Sequence, residues 1–202
     1  RNYTYFLTTP MSLQPGTFEY LERVLHAIAD SNKKGYAFEK LCKKFLQTAP
    51  IYRDKFTKVW LGKEYPSNWG IDKGIDLFAE TTDGKVWAIQ AKANGKDKTI
   101  SKREIDSFLS ESARPEISHR LLIATTDNIG RNAQETIASQ EKGISTFLRG
   151  DFLTAEVDWP ETLSKPIKRL KPKTPRPHQK TAIKQVLKGL KNNDRGQMIM
   201  AC

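Results

Sequence analysis

Two apolar runs joined by Thr81-Thr82-Asp83-Gly84 limit what this chain can fold into more than any other feature. Asp-Gly between apolar runs is a strong hairpin signal. Gly74-Ile75-Asp76-Leu77-Phe78-Ala79-Glu80 and Lys85-Val86-Trp87-Ala88-Ile89-Gln90-Ala91-Lys92 are therefore expected as an antiparallel pair. Asp76 opens the first strand, and Gln90 and Lys92 lie further along the second. Residues i and i+2 of a strand share a face, so Gln90 and Lys92 point the same way. Trp87, Ile89 and Ala91 point the other way, which predicts one buried face and one displayed polar face.

Such a hairpin can set a carboxylate, a side-chain carbonyl and an ammonium around one point. Magnesium takes oxygen ligands, typically one or two carboxylates with water and substrate phosphate, and Asp76 and Gln90 can supply the protein share. The Lys92 ammonium cannot bind a metal, but it can hold an attacking water and stabilise charge developing on phosphorus. The pattern suits metal-dependent phosphodiester hydrolysis. Taken alone it also describes a surface hairpin with a solvated polar face, because short motifs recur by accident.

The flanking periodicities extend the fold. Phe38, Leu41, Cys42, Phe45 and Leu46 recur at helical spacing, predicting an amphipathic helix over residues 35–47 with Glu39 beside its apolar stripe. Strands are expected at Phe56 to Tyr65, Ile75 to Glu80 and Val86 to Ala93. Ser101-Lys102-Arg103-Glu104 is a capping box that should open a helix carrying Ile105, Phe108 and Leu109 inward. A buried strand at Leu121 to Ala124, a helix from about Asn128 to Lys142 and a strand at Ile144 to Leu148 complete the order. Helix-strand alternation favours adding strands in parallel, so the expected class is α/β with a mixed sheet flanked by helices. Further upstream, Thr17 is a plausible N-cap for a helix with Phe18, Leu21, Leu25 and Ile28 on one face.

Three segments together resemble the Mrr-like branch of the PD-(D/E)xK restriction-endonuclease superfamily: Phe38-Glu39-Lys40-Leu41, Gly70-Ile71-Asp72-Lys73-Gly74-Ile75-Asp76-Leu77, and Ile89-Gln90-Ala91-Lys92. The resemblance spans roughly residues 36 to 150 and rests on order and spacing. It implies a restriction-endonuclease-like fold and a Mg²⁺-dependent DNA endonuclease. Asp76 and Gln90 would then be metal ligands, Lys92 the catalytic lysine and Glu39 the supplementary helix glutamate. Gln90 stands where other members carry a second acid, a variant common in that branch. Lys73 departs from the pattern, since many relatives carry Gly there. Asp72 could edge the site or stabilise its turn; Glu80 could be a distant ligand or a solvated strand end.

Composition sets looser bounds. No apolar run approaches the ~20 residues of a membrane span. Cys42 and Cys202 cannot form a disulfide framework, which fits a reducing cytoplasm. His26, His119 and His178 lack zinc-ligand spacing. The net charge is +11, yet residues 161 to 202 hold eleven basic and two acidic residues, leaving 23 and 21 before them. A basic surplus favours nucleic acid through phosphate neutralisation. Within the nearly neutral body, Lys96, Lys98, Lys102 and Arg103 cluster just after the Lys92 strand, as DNA backbone contacts or as a solvated face.

Five prolines among Lys and Arg make residues 160–177 read as a linker. Arg176-Pro177-His178-Gln179 then leads a helix with Ala182, Val186, Leu187 and Leu190, followed by the apolar run Met198 to Cys202. This resembles the opening of a superfamily 2, RecA-like motor, which implies that Gln179 contacts adenine in the intact motor. The phosphate-binding Gly-x-Gly-Lys-Ser/Thr loop is not among these residues, so ATP is expected to serve the larger enzyme. The expected organisation is an N-terminal segment and helix (1–34), a nuclease domain (35–159), the linker (160–177) and a motor start (178–202). A nuclease ahead of such a motor resembles Type ISP restriction-modification enzymes. That implies double-stranded DNA as substrate, with methyltransferase and target-recognition parts in the same polypeptide. The rival reading is a DNA-binding or motor-coupling module that keeps a nuclease-like fold without catalysis.

Overall fold

The computed structural model describes residues 14–66, 74–170, 174–191 and 193–195. In chain order the elements are α1 (Phe18–His26), α2 (Ser31–Thr48), α3 (Pro50–Arg53), β1 (Phe56–Leu61), β2 (Leu77–Thr81), β3 (Val86–Lys92), α4 (Lys102–Glu111), β4 (Ile117–Ala124), α5 (Arg131–Ala138), β5 (Ile144–Phe147), α6 (Arg149–Thr154), β6 (Val157–Asp158), β7 (Lys168–Arg169) and α7 (Pro177–Gly189). Two units divide at residues 170 and 171. The first holds a five-stranded sheet in the order β1-β2-β3-β4-β5.

The hairpin forms where the sequence places it. Thr81 N donates to Lys85 O and Gly84 N to Thr81 O, closing a three-residue loop whose last residue, Gly84, has φ +76°. That left-handed position is why glycine serves there. β1, β2 and β3 are antiparallel, whereas β3-β4 and β4-β5 are parallel and joined through α4 and α5. The sheet is mixed, as expected.

Both faces of the sheet are covered. Leu77, Ala79, Ile89, Leu121 and Ile123 meet α1, α2 and α6 on one side, and Phe78, Ala88, Leu122 and Ala124 meet α4 and α5 on the other. The first side is rich in rings, with Phe18 stacked on Phe152 at 4.4 Å and Phe45 on Trp159 at 5.6 Å. Thr17 Oγ1 accepts from Tyr20 N as the α1 cap, and Phe18, Leu21 and Leu25 are buried. At about 1.5–3 kcal/mol for each large apolar side chain, α1 is integral to the core. Glu22 on α1 also accepts twice from Arg149, at 2.9 Å and 3.1 Å through Nε.

Several boundaries differ from the sequence expectation, α2 and β4 each beginning four residues earlier. β1 ends at Leu61, because Gly62 N turns to donate to Asp76 O at 2.7 Å and the chain enters a 3-10 turn, Gly62–Glu64. A Cβ on Gly62 would lie 2.5 Å from Ile75 O, so only glycine allows this approach. The helix expected to reach Lys142 stops at Ala138. Part of the proline-rich stretch expected as a linker packs into the core: Ile167 is buried, β7 pairs with β6, and Lys44 Nζ donates to the carbonyls of residues 163–165.

The second unit contains α7. Arg176 N donates to Gln179 Oε1 at 2.8 Å, Pro177 occupies the first turn, and Ile183, Val186, Leu187 and Leu190 are exposed. The run Met198 to Cys202 lies outside the described residues. Among the described residues no helix is long and apolar enough to cross a membrane.

Candidate active site

β2 begins and β3 ends at one end of the sheet, which brings Asp76, Gln90 and Lys92 together. Asp76 is fixed through its backbone, its N–H donating to Ile89 O and its carbonyl accepting from Gly62. Its Oδ2 accepts from Ala91 N at 2.7 Å and from Gln90 Nε2. Gln90 and Lys92 share the face of Ala88, as alternation requires. That face is not displayed as expected. Ala88 on it packs with Ile105 and Phe108 of α4, and Gln90 is only 5% exposed.

Glu39 joins from α2. Burial first, and then the Asp76 charge, push its carboxyl up to about 7, against a smaller opposing pull from Lys63. Asp76 also stands above the ordinary aspartate value, because burial outweighs the Ala91 amide, the Lys92 charge and the Gln90 amide. Those three groups favour the ionised Asp76, though by less than burial opposes it. Cys42, one turn along α2, is fully buried; desolvation and the same two carboxyls raise its thiol well above the usual value.

The donor set suits a hard cation. The hydrogen bonds to the Asp76 carboxylate fall on Oδ2, so Oδ1, the Gln90 amide oxygen and the Glu39 carboxyl are the oxygens that could face a cation. Among the described residues no three His, Cys, Asp or Glu side chains gather around one point. The cluster instead contains two carboxyls and an amide, with Glu39 raised first by burial and then by the Asp76 charge.

The other candidates separate. Glu80 pairs with Val86 toward the far end of the hairpin, about 13 Å of extended chain from Asp76, and its charge acts on Tyr65. Asp72 and the loop around Lys73 lie outside the described residues. Lys96, Lys98, Lys102 and Arg103 follow β3 at its Lys92 end and are exposed. Two of them are already paired, Lys98 with Glu104 at 3.4 Å and Lys102 with Asp106 at 2.8 Å. Glu104 also accepts from Ser101 N at 2.8 Å, the capping-box bond the sequence predicts. Two contributors left no sequence signal: the Ala91 amide, because backbone donors carry no residue code, and Lys63, because its proximity depends on the Gly62 turn.

A restriction endonuclease family model, Mrr_cat_2, matches residues 47–167. Asp76, Gln90 and Lys92 fall inside that span, and Glu39 precedes it. No curated protein matches the chain. Among solved structures, the chain is similar to "ATP-dependent Type ISP restriction-modification enzyme LlaBIII bound to DNA", at 34% identity and TM-score 0.69, over 89% of this chain and 12% of that one. The chain thus spans about an eighth of that relative's length. "DNA modification-dependent restriction endonuclease AspBHI" matches at 16% identity and TM-score 0.46, over 72% of this chain and 38% of that one. "MspJI Restriction Endonuclease in Complex with 27-mer Oligonucleotide" matches at 17% and 0.46, over 72% and 34%. With more than half of its length matched by the family model, and with a mixed sheet flanked by helices of the restriction-endonuclease kind, the chain belongs to the Mrr_cat_2 restriction endonuclease family.

Proposed function

We propose that this chain is the Mg²⁺-dependent DNA-cleaving part of a larger ATP-dependent restriction-modification enzyme. The observation that carries the reading is the convergence of Asp76, Gln90 and Glu39 at the sheet end, with the Lys92 charge acting on Asp76. Asp76, Gln90 and Glu39 would hold the ion through oxygen. Magnesium bound there supplies positive charge that polarises the scissile phosphate. Lys92 hydrogen-bonds and orients the attacking water and offsets negative charge gathering on the phosphate oxygens. The Ala91 amide and the Gln90 amide fix the Asp76 carboxylate, so its orientation is set before substrate arrives.

The larger context rests on the similarity to a Type ISP enzyme at 34% identity, of which this chain matches 12%. In that reading α7 begins the motor, and Gln179 turns from capping its own helix to contacting adenine once the motor is complete. Motor, methyltransferase and target recognition then reside elsewhere in the polypeptide, and double-stranded DNA is the substrate.

Asp76→Ala and Lys92→Ala in the full-length enzyme test the assignment. Both are expected to abolish Mg²⁺-dependent cleavage while ATP hydrolysis and folding persist. Undiminished cleavage by either variant overturns the site. Loss of ATP hydrolysis on removing residues 1–150, with no cleavage to lose, would favour a coupling module.

A further inference from the structure

Two ammonium groups share one aromatic ring beside the site. Lys40 Nζ lies 4.6 Å and Lys63 Nζ 4.2 Å from the centroid of Tyr36, both within cation-π range. Neither lysine has a carboxylate partner among the described residues, whereas Lys43, on the same side of α2, is paired with Glu64 at 2.6 Å. The electron-rich ring thus gathers an ammonium from α2 and one from the 3-10 turn.

The position of Lys63 is set by two anchors. The Lys43–Glu64 pair ties its 3-10 turn to α2, and Gly62 N ties the same turn to the carbonyl of Asp76. Lys63 is therefore held near the carboxyls, and its charge acts on Glu39. An ammonium pair repels a metal ion and attracts an anion. Lys98 and Lys102, on the other side of the site, must first break ion pairs to do the same.

Resting on the nuclease reading above, we propose that Lys40, Lys63 and Tyr36 grip a backbone phosphate of the DNA strand entering the Asp76 site, adjacent to the phosphate that is cut. Contacts of this kind set register and orientation on the duplex without reading its sequence. Their loss weakens binding and lowers its salt dependence by about 0.9 in log-log slope for each phosphate contact.

The test is anisotropy of a fluorescein-labelled duplex with the 202-residue chain across a salt series, for the parent, Lys40→Gln/Lys63→Gln, Tyr36→Leu and Asp76→Ala. The double variant is expected to bind about tenfold or more weakly, with a slope shallower by about 0.9. Tyr36→Leu is expected to weaken binding in the same direction by less, because it removes the ring but not the charges. Parental affinity and slope in the double variant would overturn the proposal, as would absence of duplex binding by the parent at low salt. Displacement of the duplex by inorganic phosphate at sub-millimolar concentration would mark a free-anion site and overturn the DNA assignment. The two readings fail separately: cleavage by Asp76→Ala in the full-length enzyme bears only on the catalytic site, and the affinity and slope of Lys40→Gln/Lys63→Gln only on the phosphate grip.

Discussion

Glu39 and Asp76 are unequal partners across the end of the sheet. Burial raises the Asp76 carboxyl against the smaller pull of the Ala91 amide, Lys92 and Gln90, while burial and the Asp76 charge push half-buried Glu39 up to about 7.

On the proposed reading, proton and Mg²⁺ compete at Glu39. Below pH 7 the affinity of the chain for Mg²⁺ should fall by about tenfold per pH unit, while one proton is displaced on binding. Calorimetric titration between pH 6 and 8 measures this, and Glu39→Gln should abolish the dependence.

The same carboxyl affects stability without metal. Its folded pKa lies above its unfolded value, so the native state binds more protons between about pH 4.5 and 7. Stability from this group is full below that window and declines as pH rises through it. Glu39→Gln should stabilise the metal-free chain at pH 8 by about 1 kcal/mol, after discounting for solvent screening, and should flatten the profile in denaturant unfolding.

Gln90 is buried against Asp76, and its amide carries no charge. Gln90→Glu would place a third carboxyl in the cluster and remove a donor to Asp76. The metal-free Tm should fall by several degrees, and Mg²⁺ should raise it more than in the parent, as thermal melts with and without the ion would record.

Gly62→Ala should cost about 1–3 kcal/mol, because its Cβ would press on Ile75 O, a backbone atom with little freedom to yield. The same shift moves Asp76, so cleavage should fall more than the stability loss explains. Unfolding midpoints alongside single-turnover cleavage would separate the two effects.

Arg120, 3% exposed, donates from Nε to Ser112 Oγ at 2.7 Å and from its Nη atoms to Leu109 O, Lys142 O and Gln140 Oε1. Arg120→Met strands these acceptors around the end of α4 and should destabilise the chain by about 3 kcal/mol or more. Its salt-dependent DNA binding, measured below the unfolding transition, should match the parent.

Much of the fold was legible because local rules and tertiary packing agree. Asp83-Gly84 specified the hairpin turn, the spacing from Phe38 to Leu46 specified the buried stripe of α2, and Ser101 with Glu104 specified the start of α4. Each signal lies within a dozen residues, where backbone geometry and side-chain alternation act directly. The order of Asp76, Gln90 and Lys92 was legible for the same reason.

What lay beyond local rules was decided by contact between distant segments. A strand pattern states which residues share a face but not what covers it, so the burial of Gln90 emerged only with the packed sheet. The proline-rich composition after Pro160 concealed Ile167, whose burial follows from the ring cluster around Phe45 and Trp159. By itself the sequence determined the hairpin, the strand order and the polar residues placed at one strand end. Tertiary structure alone decided the raised pKa of Glu39 and the pairing of Lys40 and Lys63 around Tyr36. Burial and electric fields are properties of space, and spacing along a chain does not encode them.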